Sequence, residues 1–303
     1  SISCDTLRWA MVDAIVLSAG RASRFGVPKW LLPAGEGQVL LTRVLERAAA
    51  VVDGRIAVVV GRASKVTRYV VERWVEAAGG RVHTALNRHY RYGQSTSLKA
   101  GIRALPDAAG VLVMLADMPA LEPTRLERLR QAIQARGPYS VAVAASLQGQ
   151  VLPPVYLSAQ LFPDIQKLRG DQGARAILRA YEERVERVEW GAGPWFTDVD
   201  DWPTYRHLAH QQGWALERGG VLPRRPVAPA QFKDRVDAAL ASQEVPWLAP
   251  GILLLPSSGE ACWLDLTPPY RGVRSLVMGR ASTPEAYLQL LRSAALAALA
   301  SGV

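Results

Sequence analysis

Leu17-Ser18-Ala19-Gly20-Arg21-Ala22-Ser23-Arg24-Phe25-Gly26-Val27-Pro28-Lys29-Trp30-Leu31-Leu32 decides the reading of this chain. An apolar run, 14–17, leads into it and ends at small residues, as a buried strand feeding a loop does. Such a loop aims backbone N–H groups at whatever sits beyond the sheet edge. Leu17, Ser18, Ala19 and Gly20 form its near wall, and Ala19, Gly20 and Gly26 let a flat base or a phosphate chain approach the backbone. Arg21, Arg24 and Lys29 add fixed positive charge, Arg as a bidentate phosphate ligand and Lys as a point charge. The stretch reads as a triphosphate cradle. The competing reading is a surface loop with solvated arginines.

Two common phosphate loops are excluded. A P-loop needs Ser or Thr after its Lys, and Trp30 follows Lys29. The dinucleotide fingerprint Gly-x-Gly-x-x-Gly is absent, because Gly20 and Gly26 are too far apart.

Composition narrows the function classes. The 303 residues, 49% apolar and 21% charged, suit a globular chain of one large and one small domain. The net charge of +9 comes from 31 Arg against 5 Lys. That balance favours small anionic ligands; no run of five basic residues marks a nucleic-acid stripe, and no nucleic-acid partner is expected. Cys4 and Cys262 have neither disulfide nor zinc spacing, which points to a reducing compartment. Residues 137–163 carry no charge but are interrupted by Gln148, Gln150, Pro153 and Pro154, so no membrane span is read. With no secretory pattern near Asp5 and Arg8, the expected location is cytoplasmic.

Along the chain, apolar runs alternate with helical patterns. Strands are expected at Ile56–Val60, 81–86, Gly110–Leu115 and 140–146. Helices are expected at Ser64–Ala78 (Ser64 as N-cap, Gly79-Gly80 as stop), 95–105 and 123–136. The alternation implies an α/β fold: a three-layer, mostly parallel Rossmann-like sheet with helices on both faces. Gly219, Gly220, Pro223, Pro226 and Pro229 mark 219–229 as a linker. The expected organisation is therefore a domain at 1–218, that linker, and a small C-terminal α+β domain at 230–303. In the latter a helix is expected near 230–243, strands near 251–255, 261–266 and 273–277, and a final helix over 284–299.

Asp117 ends the Gly110–Leu115 strand on a carboxylate, at the sheet edge where the cradle falls. A hard cation such as Mg2+ takes carboxylate oxygen together with triphosphate oxygens, which makes Asp117 a metal ligand; its alternative role is a turn before the 123–136 helix. Asp198, Asp200 and Asp201 supply further carboxylates, or an N-cap for a helix from Trp202. In 87–101, Asn87 is followed by Ser95, Thr96 and Ser97 at a helix start. Short hydroxyls and free N–H groups there can read a base edge or ribose, or merely cap the helix.

Together these segments resemble the nucleotidyltransferases of the MobA-like type. Their signature, Leu-x-Ala/Gly-Gly-x-Ser-x-Arg-Phe/Met-Gly-x-x-Lys-x-Leu, is met here by Leu17, Ala19, Gly20, Ser23, Arg24, Phe25, Gly26, Lys29 and Leu31. Leu115-Ala116-Asp117-Met118-Pro119 is similar to the family's Asp-Met-Pro element. Thr197-Asp198-Val199-Asp200 is similar to its late Asp-Ile-Asp-Thr-Pro, with Asp201 and Trp202 in place of Thr-Pro. Gly170-Asp171-Gln172-Gly173-Ala174-Arg175 resembles the Gly-Asp-x-Gly-Ala-Arg of the molybdenum cofactor cytidylyltransferases, whereas Leu152-Pro153-Pro154 departs from their Gly-His/Arg-Pro. The resemblance implies a nucleotide-diphospho-sugar transferase type of fold, with Arg24, Lys29 and Asp117 catalytic and Mg2+ on Asp117, Asp198 and Asp200. Leu17, Ser18, Ala19, Gly20, Arg21, Lys29, Asn87, Ser95, Ser97 and Gly101 would hold the nucleotide, and Pro154, Asp171, Gly173 and Arg175 the acceptor. Ala19 points to CTP, where a Gly would point to GTP. The implied acceptor is molybdopterin carrying molybdenum, with a molybdoenzyme receiving the product. Alternatives are a guanylyltransferase of the same cofactor, transfer to another phosphate acceptor, and a carrier that holds the cofactor without turnover.

Overall fold

The computed structural model describes residues 11–19, 28–35 and 37–214, with 224–226, 247–249, 252–255, 260–263, 283–285, 287, 288, 291, 292 and 295. The chain separates into two compact units, Ser1–Arg21 with Leu40–Asp198 and Ala22–Val39 with Val199–Val303.

The first unit is built on seven strands: β1 (Asp13–Ser18), β2 (Ile56–Val60), β3 (Val82–Leu86), β4 (Gly110–Leu115), β5 (Ala142–Leu147), β6 (Gln150–Ser158) and β7 (Val185–Glu189). Their order is β3-β2-β1-β4-β6-β5-β7, with β6 alone running against the others. β2 is buried throughout and β4 nearly so, as their unbroken apolar runs require of central strands. The mostly parallel sheet is as expected.

Among the described residues six helices flank it: α1 (Leu40–Val51), α2 (Ser64–Ala78), α3 (Gln94–Arg103), α4 (Pro123–Ala135), α5 (Phe162–Ile165) and α6 (Ala174–Ala180). Side chains alternate across each strand. Ile15, Val59, Val113 and Leu157 face a core shared with Leu98, Ile102, Ile165 and Ile177 of α3, α5 and α6. α1, α2 and α4 form the other layer, against β1 to β5 and β7. In α1 the buried Leu40, Leu41, Val44, Leu45, Ala48 and Val51 recur at helical spacing.

Five of the first unit's elements were not read from sequence: α1, β6, α5, α6 and β7. β5 and β6 form a hairpin across Gln148-Gly149, both with positive φ (51° and 77°), the geometry that right-twisted hairpins favour. The two prolines of β6 fall where the register against β5 shifts, Ala144 facing Val155 but Ala145 facing Leu152. A residue without N–H is tolerated at such a bulge. One capping expectation is corrected: α2 starts at Ser64, after Ala63 in left-handed geometry (φ 53°), with no side-chain cap. Gly79 ends that helix as read, its N–H donating to Val75 O.

In the second unit α7 (Trp202–Gln211) is capped by Asp201, whose side chain accepts from Thr204 N at 2.8 Å. The buried Tyr205 donates its hydroxyl to Pro33 O at 2.7 Å, joining the 28–35 segment to α7. Four short strands, β8 (Arg224–Pro226), β9 (Trp247–Ala249), β10 (Ile252–Leu255) and β11 (Glu260–Trp263), form a sheet in the order β8-β11-β10-β9. β8 lies inside the stretch read as a linker. Helical residues occur between 284 and 295, where Leu291 and Ala295 are buried. The expected helix near 230–243 and strand near 273–277 lie outside the described residues. Among the described residues no helix is long and apolar enough to cross a membrane.

Candidate active site

Ligands of parallel α/β sheets bind beyond the carboxyl ends of the strands. At that edge of the first unit, β1 ends in Leu17 and Ser18. Ser18 is buried and donates its hydroxyl to Val59 O at 2.7 Å, which closes the end of β1 onto β2. Ala19 is buried beside Gly61, where an added Cβ would lie 3.1 Å from the Ala19 methyl and 2.8 Å from Tyr90 Cβ. Tyr90 and Ala19 thus leave room at this point for a glycine alone. Gly20, Arg21 and Arg24 lie outside the described residues.

β4 delivers Asp117 to the same edge. The residue before it, Ala116, donates its N–H to Leu17 O at 3.1 Å, and Met118 N turns back to Leu115 O at 3.2 Å. The half-buried carboxylate of Asp117 is therefore carried on a turn fastened to the end of β1. It does not cap α4, whose N-cap is Glu122.

Asn87 follows β3 and is buried with all its polar groups engaged. Its amide donates to Thr96 Oγ1 at 2.9 Å and Ser97 Oγ at 3.0 Å, and its carbonyl accepts from His89 N at 2.9 Å. Ser95, also buried, donates its hydroxyl to Gly170 O at 2.8 Å and its N–H to the same oxygen at 3.1 Å. Asn87, Ser95 and Ser97 shape the start of α3 as a rigid platform. Gly101 lies deeper in α3, where a Cβ would come within 2.6 Å of Ile15 Cγ2, so it sets how closely α3 approaches β1.

The acceptor residues divide. Asp171 and Arg175 are exposed and Gly173 half-buried, in a loop drawn against α3 through Gly170. Pro154 is buried in β6. Lys99 and Gly93, which were given no role from sequence, join 87–101 to the 168–175 loop, Lys99 through Leu168 O and Gly93 by its close approach to Gly170; a glycine just before a helix of hydroxyl residues was the available signal.

In the second unit, Lys29 opens a short 3-10 turn and its ammonium lies 2.5 Å from Asp200 Oδ1. Lys29 is mostly shielded (14% exposed) while the Asp200 carboxylate is 45% exposed. Asp198, at the end of the first unit, is exposed. Among the described residues no three His, Cys, Asp or Glu side chains gather into a metal cage. An ion here would have to complete its coordination from a ligand.

Beyond the site, Glu189 closes β7 onto the β5–β6 hairpin. Its carboxylate accepts from Gln148 N (2.9 Å), Ser146 Oγ (2.9 Å), Gly149 N (3.3 Å) and Gly191 N (3.3 Å). These donors, led by Gln148 N–H, hold its pKa below the usual glutamate value.

The family model for the MobA-like NTP transferase domain matches residues 14–185, more than half of the chain. Purine catabolism protein PucB of Bacillus subtilis is 38% identical over 90 residues, which cover 29% of this chain and 42% of PucB. The Rv0371c homologue from Mycobacterium sp. strain JC1 superposes with a TM-score of 0.55 at 26% identity, covering 68% of this chain and 98% of that one. A nucleotidyl transferase from Methanothermobacter has the same fold, with a TM-score of 0.54 at 24% identity, covering 67% of this chain and 97% of its own.

Proposed function

We propose, from the premise that this chain belongs to the MobA-like NTP transferase family, that it transfers CMP from CTP to molybdenum-bearing molybdopterin and releases pyrophosphate. The observation that carries the transfer reading is the Asp117 turn, hydrogen-bonded to Leu17 where the signature loop leaves β1. A carboxylate is thereby held at the end of β1, at the edge where α/β sheets take their ligands.

An acceptor phosphate oxygen is already anionic, so no protein nucleophile or base is needed for attack on the α-phosphorus. This chain's residues then act by placing the two substrates and neutralising charge. In this reading Arg24 and Lys29 would neutralise the triphosphate oxygens, and Ser95 and Ser97 at the start of α3 would serve base and ribose. Lys29 is held ready by Asp200, a carboxylate with which a triphosphate competes for the ammonium. The carboxylates that would hold Mg2+ in this reading are Asp117, Asp198 and Asp200, as hard oxygen donors; when bound, that ion would supply Lewis-acid charge on the phosphates.

CTP is preferred to GTP in this reading because of the buried Ala19 methyl. The acceptor rests on the resemblance of Gly170–Arg175 to the cytidylyltransferase segment.

Pyrophosphate release tests the proposal. Wild type should release it from CTP and molybdenum-bearing molybdopterin faster than from GTP at equal concentration, and Asp117→Asn should fold but lose metal-dependent turnover. Faster turnover of GTP would make the chain a guanylyltransferase. Cofactor binding without pyrophosphate would make it a carrier.

A further inference from the structure

Two stretches assigned to different substrates, 87–101 to the nucleotide and 168–175 to the acceptor, are fastened into one piece. Lys99 Nζ donates to Leu168 O at 2.6 Å, and Ser95 donates twice to Gly170 O. The acceptor turn is closed on itself, Arg169 N donating to Gln172 Oε1 at 3.0 Å and Gln172 N to Arg169 O at 3.2 Å. Two glycines bring the pieces together: a Cβ on Gly93 would lie 2.2 Å from Gly170 C and O, and one on Gly173 would lie 2.6 Å from Gln94 Oε1.

Lys99 is the telling member. It is half-buried on α3, and its ammonium donates to a main-chain carbonyl. An apolar side chain would fill that place at less desolvation cost. What the ammonium adds is direction: a charge-assisted bond fixes where the Leu168 carbonyl points, and with it the turn that follows.

We propose that Lys99 is a positioning residue that couples the two substrate sites, so that a nucleotide held at the amino end of α3 orders residues 168–175 for the acceptor. The proposal rests on the nucleotidyl-transfer reading. Coupling passes through the Ser95–Gly170 and Lys99–Leu168 bonds, because those bonds join α3 to the turn.

Hydrogen exchange of the full chain tests this. The probe is whichever of CTP, GTP, ATP and UTP, with Mg2+, raises Tm most. In wild type that nucleotide should slow exchange in 168–175 by about 10-fold, within the range typical of coupled sites. In Lys99→Met the slowing should vanish while the nucleotide-dependent rise in Tm persists, and Lys99→Arg should restore it. If Lys99→Met fails to fold, Lys99→Gln, which keeps the stem and a weaker donor, should show a partial loss. A rise in Tm with unchanged exchange at 168–175 in wild type overturns the coupling alone. Undiminished slowing in Lys99→Met or Lys99→Gln overturns the role of Lys99. No rise in Tm with any nucleotide overturns the transfer reading and the coupling with it.

Discussion

Gly93→Ala should be among the most damaging single-methyl additions to this protein. Gly93 has φ 107° and ψ 176°, a region that glycine alone occupies readily, and an L-residue forced there costs about 1–3 kcal/mol. The new Cβ would also lie 2.2 Å from Gly170 C and O and 2.7 Å from Asp171 N. Those are backbone atoms, with no rotamer to swing aside. Relief requires the two loops to part by about 1.2–1.8 Å, the gap between 2.2 Å and ordinary van der Waals contact at 3.4–4 Å. That separation would stretch the Ser95 N–Gly170 O bond, now 3.1 Å, beyond hydrogen-bond length and weaken the Ser95 hydroxyl bond with it. Two bonds at about 0.5–1.5 kcal/mol each bring the sum to roughly 2–6 kcal/mol. Gly170→Ala is the control: φ is +57° there, yet nothing lies within 4 Å of its Cβ, so only the left-handed cost of about 1–2 kcal/mol applies. Urea denaturation of both variants measures the difference. A Gly93→Ala protein as stable as wild type, or no less stable than Gly170→Ala, would refute the close joint between α3 and the 168–173 turn.

Three further outcomes are expected. Lys29→Ala should lower kcat for pyrophosphate release by about 10²–10³, the usual loss for one preorganised charge-stabilising donor; undiminished turnover would remove Lys29 from the site. Tyr205→Phe leaves the buried Pro33 carbonyl without its donor and should cost about 1–3 kcal/mol in denaturant unfolding, and an unchanged midpoint would show that the bond adds nothing. Glu189 has a folded pKa below its unfolded one, so its contribution is complete above the unfolded value and is lost as pH falls through the folded one; Glu189→Gln should destabilise at neutral pH and flatten the acid limb of the Tm–pH curve, and an unaltered acid limb would exclude Glu189 as its source.

What could be read in the sequence was what a single physical signal determines. Ile56–Val60 and Gly110–Leu115 are unbroken apolar runs, and both are central strands with the bounds expected. β6 escaped because two signals collide in it: prolines argue against a strand, and only the register shift at Ala144/Ala145 accommodates them. The hairpin ahead of it turns on Gln148-Gly149, and glutamine at positive φ advertises itself far less than asparagine does. β7 reads Val-Glu-Arg-Val-Glu, an alternation split between a half-covered edge strand and a solvated helix face. Ser64 was misread as a cap because its chemistry suits the role; the backbone placed Ala63 there instead.

The sequence names candidate residues by type but not their partners, and partnership changes what such residues can do. Asn87, Ser95 and Ser97 look from sequence like groups waiting for a base. In the fold, Asn87 and Ser95 have their side-chain hydrogen bonds taken by the protein, and Ser97 accepts one from Asn87. A buried polar group committed in this way stiffens its surroundings. What α3 offers a ligand is therefore a fixed surface together with whatever acceptor capacity those hydroxyls retain. Lys29 differs, since its ion pair with a 45%-exposed carboxylate leaves a charge that an anion can recruit. On the proposed reading a triphosphate would compete with Asp200 for the Lys29 ammonium, whereas the Asn87 and Ser95 network would stay committed to the fold.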